Sequence, residues 1–519
     1  MTQHRPLCPE GHQAVAGATA APCPERARPW VLGATILASA MAFIDGTVVT
    51  IALPAIRDDL GIGFQTLQWV VNAYTLMLGA LILVGGALGD RYGRRRVFVT
   101  GIVLFAVASA ACAAAPDGAV LVLARAAQGI GAALLVPQSL AIITASFPRS
   151  VRGRAIGTWA AASAITTALG PSVGGLLIDA VSWRAAFWIN LPLSAVAIWL
   201  ALRHVPESRN DAASGPVDWL GAALAMTAVG GLTYGLTWLG TGQAQLLPPA
   251  ALALGSVALG LFLMVERRAA NPIVPLRLFG SRAFSGANVV TVFLYGALGG
   301  VLFLLPFELI ERRGLSTAEA GLVLLPLGGI IGLLSRRFGA LADTHGPRWL
   351  MAAGAALVAF AAGWLAVALD GLGIGVVAPV VVLAAGMSMV VSPLTTAVMN
   401  AAPDSHSGAA SGINNAASRI AGLVAIAVLG TVASVVYAAR TGAGIGAEGF
   451  GALPPPADPA RAALEAAFLA AFSTAMILAM LSALAAAVTA LATLRMQPAA
   501  VRADEDAGVI GAAQEDRKG

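Results

Sequence analysis

The sequence predicts an all-α polytopic membrane protein with about fourteen spanning helices, and three observations carry that expectation. Hydrophobic residues make up 58% of the 519, while Asp, Glu, Lys and Arg make up only 11%, well under the roughly 25% usual in a soluble domain. Apolar runs of about 20 residues, the length a bilayer requires, recur along the whole chain. The charged residues fall in short clusters between those runs.

Runs bounded by charge, or by Gly-Pro and Asp-Gly breaks, place helices at 30–56, 66–89, 97–115, 119–147, 153–179, 184–203, 217–240, 248–266, 285–310, 318–341, 348–369, 373–400, 409–438 and 464–494. The first 28 residues are polar and Pro-containing. The run that follows them is too long for the apolar core of a signal peptide, so it reads as the first spanning helix. Only "DGLG" separates the eleventh and twelfth runs. Residues 440–465, rich in Gly, Ala and Pro, read as an irregular external connector.

Charge orients the chain. The net charge of +5 comes from basic residues that are nearly all Arg, Lys518 being the one Lys. With a cytoplasmic N-terminus, "RYGRRR", "PRSVRGR", "RHVPESR" and "ERRAANPIVPLRLFGSR" all lie inside, as the positive-inside rule demands. An even helix count then puts both termini in the cytoplasm.

The same residues exclude other classes. No basic stripe with interleaved aromatics is present, so nucleic acid is not an expected partner. There is no G-x-x-x-x-G-K-[ST] loop and no nucleophile–base arrangement, so neither ATP nor enzyme chemistry is expected. His4, Cys8, His12 and Cys23 match no zinc spacing, and Cys112 reads as a small packing residue, so no metal and no disulfide framework is expected.

"GALGDRYGRRR" at 86–96 and "GALADTHGPRW" at 339–349 are two copies of one motif, each at a helix–loop–helix junction on the same membrane side. They predict a duplicated bundle. One six-helix bundle spans 30–210 and the second 271–495, the latter with an external loop at 439–463. An inserted helix pair with its linker occupies 211–270, and tails occupy 1–29 and 496–519. Transporters built from two similar halves hold their site between them.

Polar residues inside the apolar runs are the candidate sites. Asp45 stands in "AMAFIDGTVVTIALP", where an ionised acid costs about 2.5–3.5 kcal/mol and faces protein or a water-filled cavity. Desolvation favours the neutral form of a carboxyl group. Asp45 therefore either carries a proton or holds a cationic solute, or else pairs permanently with a donor and fixes packing. Arg125, with Gln128 and Gly129 one turn on, stays charged and needs acceptors. Gly157, Ala161, Ala164, Ala168 and Gly175 share one helical face, as close packing in lipid requires, and Gly170-Pro171 should bend that helix. The glycines of the repeated motif permit a tight turn. Asp90 suits a helix terminus, and Arg91, Arg94, Arg95 and Arg96 suit the membrane surface. Trp69, Asn72, Tyr74, Gln128, Asn414, Asn415 and Arg419 either line a cavity or serve as interhelical glue. Glu308 is either a second proton or cation site or a partner of Arg312.

"GALGDRYGRRR" resembles the cytoplasmic loop motif of the major facilitator superfamily. "FIDGTVVTIALP", "LARAAQGIGAALLVPQSLAII" at 123–143 and "ALGPSVGGLLID" at 168–179, followed by "WRAAFWINLP", resemble motifs of its drug:proton antiporter branch with fourteen helices. With "SGINNAASRIAG" at 411–422, the resemblance covers nearly the whole chain. It implies the major facilitator fold, with two pseudo-symmetric six-helix bundles and two extra helices. It further implies export of small lipophilic or amphipathic compounds, drugs or antibiotics, in exchange for protons by alternating access. In that family Asp45 would couple the proton with Arg125 tuning it. Gly86, Gly89, Asp90, Arg91, Gly93, Arg94 and Asp343 would form a conformational latch, with Arg152 or Arg154 sharing it. Gly157, Gly170, Pro171, Gly174 and Gly175 would form the antiporter seam. The chain departs from the family at Glu308, where a non-acidic residue is preferred, and in the second loop copy, where His345 and Pro347 replace the basic spacing and weaken that latch. The expectation is a monomer in the bacterial inner membrane, with a small-molecule substrate, protons and lipid as partners and no cofactor. Its rivals are a facilitator or symporter of a metabolite on the same fold, and a membrane sensor or scaffold.

Overall fold

The computed structural model describes residues 24–209, 218–238, 246–269, 272, 274–367, 370–403, 407–441, 449–455 and 457–494. The tail residues His4, Cys8, His12 and Cys23, the C-terminal tail and part of the 439–463 loop lie outside them.

Among the described residues, fourteen helices are long and apolar enough to cross a membrane. They are α1 Arg28–Leu60, α2 Phe64–Tyr92, α3 Arg94–Ala113, α4 Gly118–Ser146, α5 Ser150–Ala180, α6 Ala185–His204 and α7 Trp219–Trp238. The series continues with α8 Leu247–Arg268, α9 Arg282–Arg312, α10 Thr317–His345, α11 Pro347–Ala366, α12 Gly373–Asn400, α13 Ala409–Thr441 and α14 Arg461–Thr493. The protein is a multi-pass membrane protein, and every expected apolar run falls on one of these helices. Most helices extend a turn beyond the run, because the flanking arginines carry apolar stems and charged heads and are themselves good helix formers.

Local chemistry sets the ends. Asp117 caps α4 by accepting from the Val120 amide at 2.9 Å. Ser316 and Glu319 form a reciprocal capping box at α10, satisfying two of the donors every helix start leaves open. Both copies of the repeated motif end their helix at a glycine with positive φ, +109° at Gly93 and +80° at Gly346, a region that L side chains rarely adopt. Glu207 then accepts from the amides of Arg95 and Arg96 at 3.0 and 3.2 Å, fastening the start of α3 to the end of α6.

The packing repeats. In the first bundle α4 lies against α2 and α3, α1 against α5 and α6, and α3 against α6. In the second, α12 lies against α10 and α11, α9 against α13 and α14, and α11 against α14. Adding eight to each helix number of the first set produces the second, which is the pseudo-symmetry that the duplicated motif implied. Two seams join the bundles, α5 with α10 and α2 with α13, and the same operation maps one seam onto the other. The inserted pair α7–α8 packs along the α2/α13 seam through α7.

The seams are not closed along their whole length. We call the side that carries "RYGRRR" the basic face and the opposite side the far face. From the far face inward, a Cβ at Gly175 would collide with the Thr317 carbonyl, one at Gly321 with the Pro171 carbonyl and one at Gly328 with Ala168. Below that point the helices part. Gly157 and Gly332 continue the same two facing stripes, spaced by whole turns, and each looks onto open space. The α5/α10 seam is shut at the far face and open toward the basic face.

Candidate functional site

Close approach of α4 to its neighbours builds a dry polar site in the first bundle. A Cβ at Gly129 would strike the Tyr74 carbonyl, and one at Gly131 would stand 2.6 Å from the Phe105 amide nitrogen. With α2, α3 and α4 this close, Arg125 reaches across to donate from Nε to the Val70 carbonyl at 3.0 Å.

Asp45 and Arg125 are each 1% exposed. Arg125 Nη1 donates to Asp45 Oδ2 in a short ion pair. The other carboxylate oxygen, Oδ1, accepts from Gln128 Nε2 at 2.8 Å and Asn190 Nδ2 at 3.2 Å. Ser109 Oγ accepts from the same two amides at 2.8 and 3.3 Å. Gln128 Oε1 accepts from Arg125 at 2.6 Å and faces the Cys112 thiol at 3.7 Å. Five helices therefore share one network around the carboxylate: α1, α4 and α6 directly, α3 through Ser109 and α2 through the Val70 carbonyl.

The guanidinium has support that does not depend on Asp45. It lies over the Tyr74 ring with 4.3 Å to the centroid and near the Phe187 ring at 5.8 Å, an arrangement that stabilises a desolvated cation. Tyr74 is held in place by donating to the Ala42 carbonyl at 2.8 Å. If Asp45 takes up a proton, Arg125 keeps Val70, Gln128 and two aromatic faces.

The structure separates the remaining candidates. Gln128 and Tyr74, expected as cavity lining, belong instead to the shell around Asp45. Trp69 stands against Tyr234 of the inserted helix α7 at 5.8 Å. Asn72 is fully buried, with neither side-chain amide atom partnered. Asn414 accepts from Thr291 Oγ1 of α9 at 2.6 Å, which makes it interhelical glue. Asn415 is exposed and Arg419 half-buried at membrane depth on α13.

At the basic face, Asp90 accepts from Arg94 at 2.7 and 3.0 Å, and Arg152 donates to the Phe147 carbonyl at 3.2 Å. Both contacts stay within the first bundle. Gly89 and Gly86 let α2 meet α4, the former against Gln138 and the latter against Pro137. Arg91 lies near the Tyr92 ring. Asp343 is exposed. Asp90 and Arg152 thus find these partners inside their own bundle, at the end where the α5/α10 seam is open.

Across the far face the bundles are locked. Arg57 of α1 pairs with Glu311 at 2.5 Å. Asp179 of α5 accepts from the Thr317 and Ala318 amides at 3.2 and 2.8 Å, so an acid of one bundle caps a helix of the other. Gly170 and Gly174 bring α5 onto Thr47 and Val48 of α1. Glu308 is 1% exposed and sits in a π-helical turn, Glu308–Arg312. Its carboxylate accepts from Arg312 at 2.5–2.9 Å and from Arg313 at 2.9 Å, the pairing alternative of the two expectations. Phe450, from the external loop, is fully buried and meets Phe64 at 4.7 Å and Phe468 at 5.2 Å. That loop segment is thus more than a connector.

Sequence reasoning missed Asn190, Ser109, Asp179, Arg57 and Glu311 as members of these sites. Asn190 and Asp179 stand inside the stretches quoted above, but a polar residue between apolar neighbours carries no sign of which helix it will meet.

Two similar bundles joined by two seams, with a buried Asp–Arg pair inside the first, define a secondary-transporter architecture. The chain matches the family profile of the Major Facilitator Superfamily over residues 35–426. It belongs to that superfamily. It is 37% identical over 416 residues to multidrug resistance protein Stp of Mycobacterium tuberculosis, covering 77% of this chain and 74% of that one. It is 33% identical over 423 residues to the tetracenomycin C resistance and export protein of Streptomyces glaucescens, covering 80% and 77%. It is 34% identical over 411 residues to the methylenomycin A resistance protein of Bacillus subtilis, covering 78% and 87%. Among solved structures, a bacterial homolog of the human lysosomal transporter Spinster, in an inward-facing conformation, aligns with TM-score 0.66 at 18% identity over 91% of this chain and 97% of that one. A D-xylose–proton symporter aligns with TM-score 0.59 at 16% identity over 90% and 98%. At that identity the likeness is one of fold.

Proposed function

We propose that this protein exports small lipophilic or amphipathic compounds, of the drug or antibiotic kind, across the bacterial cell membrane in exchange for protons. The observation that carries the reading is the Asp45–Arg125 pair, dry and enclosed, in which the cation keeps its own supports when the acid is neutral. The relatives' names, multidrug resistance and export of an antibiotic, support the solute class.

In this reading the basic face is cytoplasmic, both termini are cytoplasmic, and the conformation is open to the inside. Solute enters between α5 and α10 from the cytoplasm or the inner leaflet. The bundles then rock until the Asp90 end closes and the Arg57–Glu311 end opens. A proton reaching Asp45 removes its charge from the five-helix junction and favours the return. The gradient supplies the energy; neither a cofactor nor ATP takes part, the chain performs no catalysis, and a monomer suffices. Glu308, bound by two arginines, serves the far-face closure in this scheme rather than carrying a second proton.

The test uses inverted membrane vesicles carrying a proton gradient and a pH-sensitive dye. Solute-triggered proton release is expected in wild type and absent in Asp45→Asn. Release that survives the substitution would place coupling on another acid. Solute uptake into cells that runs with protons, rather than against them, would replace the exporter reading with a symporter.

A further inference from the structure

The inner half of α13 has three distinct faces. Gly412, Arg419, Ile426 and Gly430 meet α2, through Leu83, Gly79 and Gln68. Asn414, Ala421 and Ala425 meet α9, through Thr291 and Gly296. Between those two faces the helical period places Ser411, Asn415, Ser418 and Gly422. Ser411 and Asn415 are exposed; Gly422, at the end of the stripe, has its backbone against Gly299 of α9, while a Cβ on it would meet nothing within 4 Å. A polar, exposed stripe at membrane depth, flanked by one helix of each bundle, lines the space between the bundles.

Arg419 borders that stripe about 15 Å below the basic face, counting 1.5 Å per residue from Ala409. Gly79 makes room for its stem, since a Cβ there would stand 3.4 Å from the Arg419 Cβ. Its head lies within electrostatic reach of the Tyr74 hydroxyl, on the side of α2 where Arg125 is stacked. Among the described residues Arg419 has neither an ion-pair nor a hydrogen-bond partner, and its Nε is buried without one.

Among the described residues, no acid within the membrane-spanning helices of this region is left to balance it at that depth. Asp45 is enclosed, with both oxygens accepting from protein donors. Glu308 is held by Arg312 and Arg313, Glu311 by Arg57, and Asp179 by the amides of α10. The space between the bundles therefore carries a fixed positive charge.

We propose that Arg419 sets the charge class of the transported solute: the protein takes uncharged, oxygen-acceptor-bearing apolar molecules and excludes lipophilic cations. A carbonyl or ether oxygen in the solute takes a guanidinium donor that is otherwise left to water. A cation finds no counter-charge and is repelled by the guanidinium, a penalty of about tenfold or more in affinity at separations near 7 Å. This inference rests on the export reading for its biological meaning, but not for its test.

The experiment measures binding to the full-length protein in detergent, with two tricyclic fluorophores of the same shape. Acridone is neutral and carries one carbonyl acceptor; 9-aminoacridine is a cation at neutral pH. Wild type is expected to bind acridone at least about tenfold more tightly. Arg419→Met should bring the two within about twofold, and Arg419→Lys, which keeps the charge, should still exclude the cation. Equal binding by wild type, or a ratio unchanged in Arg419→Met while Arg419→Lys behaves as wild type, overturns the proposal. Binding is read without flux, so the two readings fail separately. A charge preference without solute-driven proton release sinks the exporter and leaves Arg419 standing. Export that favours the cation sinks Arg419 and leaves the exporter.

Discussion

Arg125 makes the sharpest case at the level of single residues, because its removal leaves Asp45 buried without its counter-charge. Breaking such a pair from one side costs about 3–5 kcal/mol. Arg125→Met should therefore lower the thermal unfolding midpoint clearly, and the double variant Asp45→Asn/Arg125→Met should recover most of the loss. Additive losses in the double variant would show that the two residues are not coupled. Arg125→Lys should not restore transport, since a single ammonium nitrogen cannot stand both where Nε reaches the Val70 carbonyl and where Nη1 reaches Asp45 and Gln128, positions that the guanidinium fork fixes. Asp45 and Arg125 were legible as candidates, because a charge in an apolar run is conspicuous. Asn190 was not, since an amide costs less in lipid and gives no direction of its own.

Among elements, α5 carries two kinds of glycine on one stripe. Gly175 is pressed against the Thr317 carbonyl and Ala318, whereas Gly157 faces open space. Gly175→Val should wedge the far end of the α5/α10 seam apart and favour the conformation open at the far face. Gly157→Val fits the present conformation and should block the opposite closure, favouring the one seen here. Distances between spin labels at the two ends of α5 and α10 read both effects, and shifts of the same sign would contradict this assignment. The stripe itself was visible in the sequence. Which part of it is in contact depends on the conformation, which no spacing encodes. The external loop is a second case at this scale. Truncating the fully buried Phe450 removes a ring from the aromatic cluster of Phe64, Phe303, Phe307 and Phe468. Phe450→Ala should cost about 3–5 kcal/mol, seen as a lower unfolding midpoint; an unchanged midpoint would return the loop to the rank of a connector.

At the scale of the whole molecule, alternating access needs the two ends of the bundle interface to close in turn. The far-face lock is an ion pair between bundles, Arg57 with Glu311, joined by Asp179 capping α10. At the basic face, Asp90 pairs with Arg94 of its own bundle. Arg57→Ala and Glu311→Ala should each raise the population open at the far face, and the exchange Arg57→Glu/Glu311→Arg should return it toward wild type. Spin-label distances across the far face measure this, and an exchange variant no better than the single ones would deny the pair a gating role. The pair is only 9% and 12% exposed on its side chains, so removing one partner leaves the other charge buried and uncompensated, which costs more than breaking a surface bridge.

The sequence by itself determined the solvent, the helix count, the two-bundle architecture and the charged residues that have to face inward. Each follows from a local and costly rule: in lipid every backbone group bonds within its own helix, and a buried charge stands out against an apolar run. Tertiary structure decided which partners those charges found, which of the polar residues on α2, α4 and α13 face the acid and which face the opening, and which end of the interface is shut. Those outcomes are small differences between packings of one set of helices, and they rest on contacts between residues far apart in the chain, such as Asp45 with Asn190 or Arg57 with Glu311. Hydrophobic periodicity describes the surface each helix presents, but not the neighbour it presents that surface to.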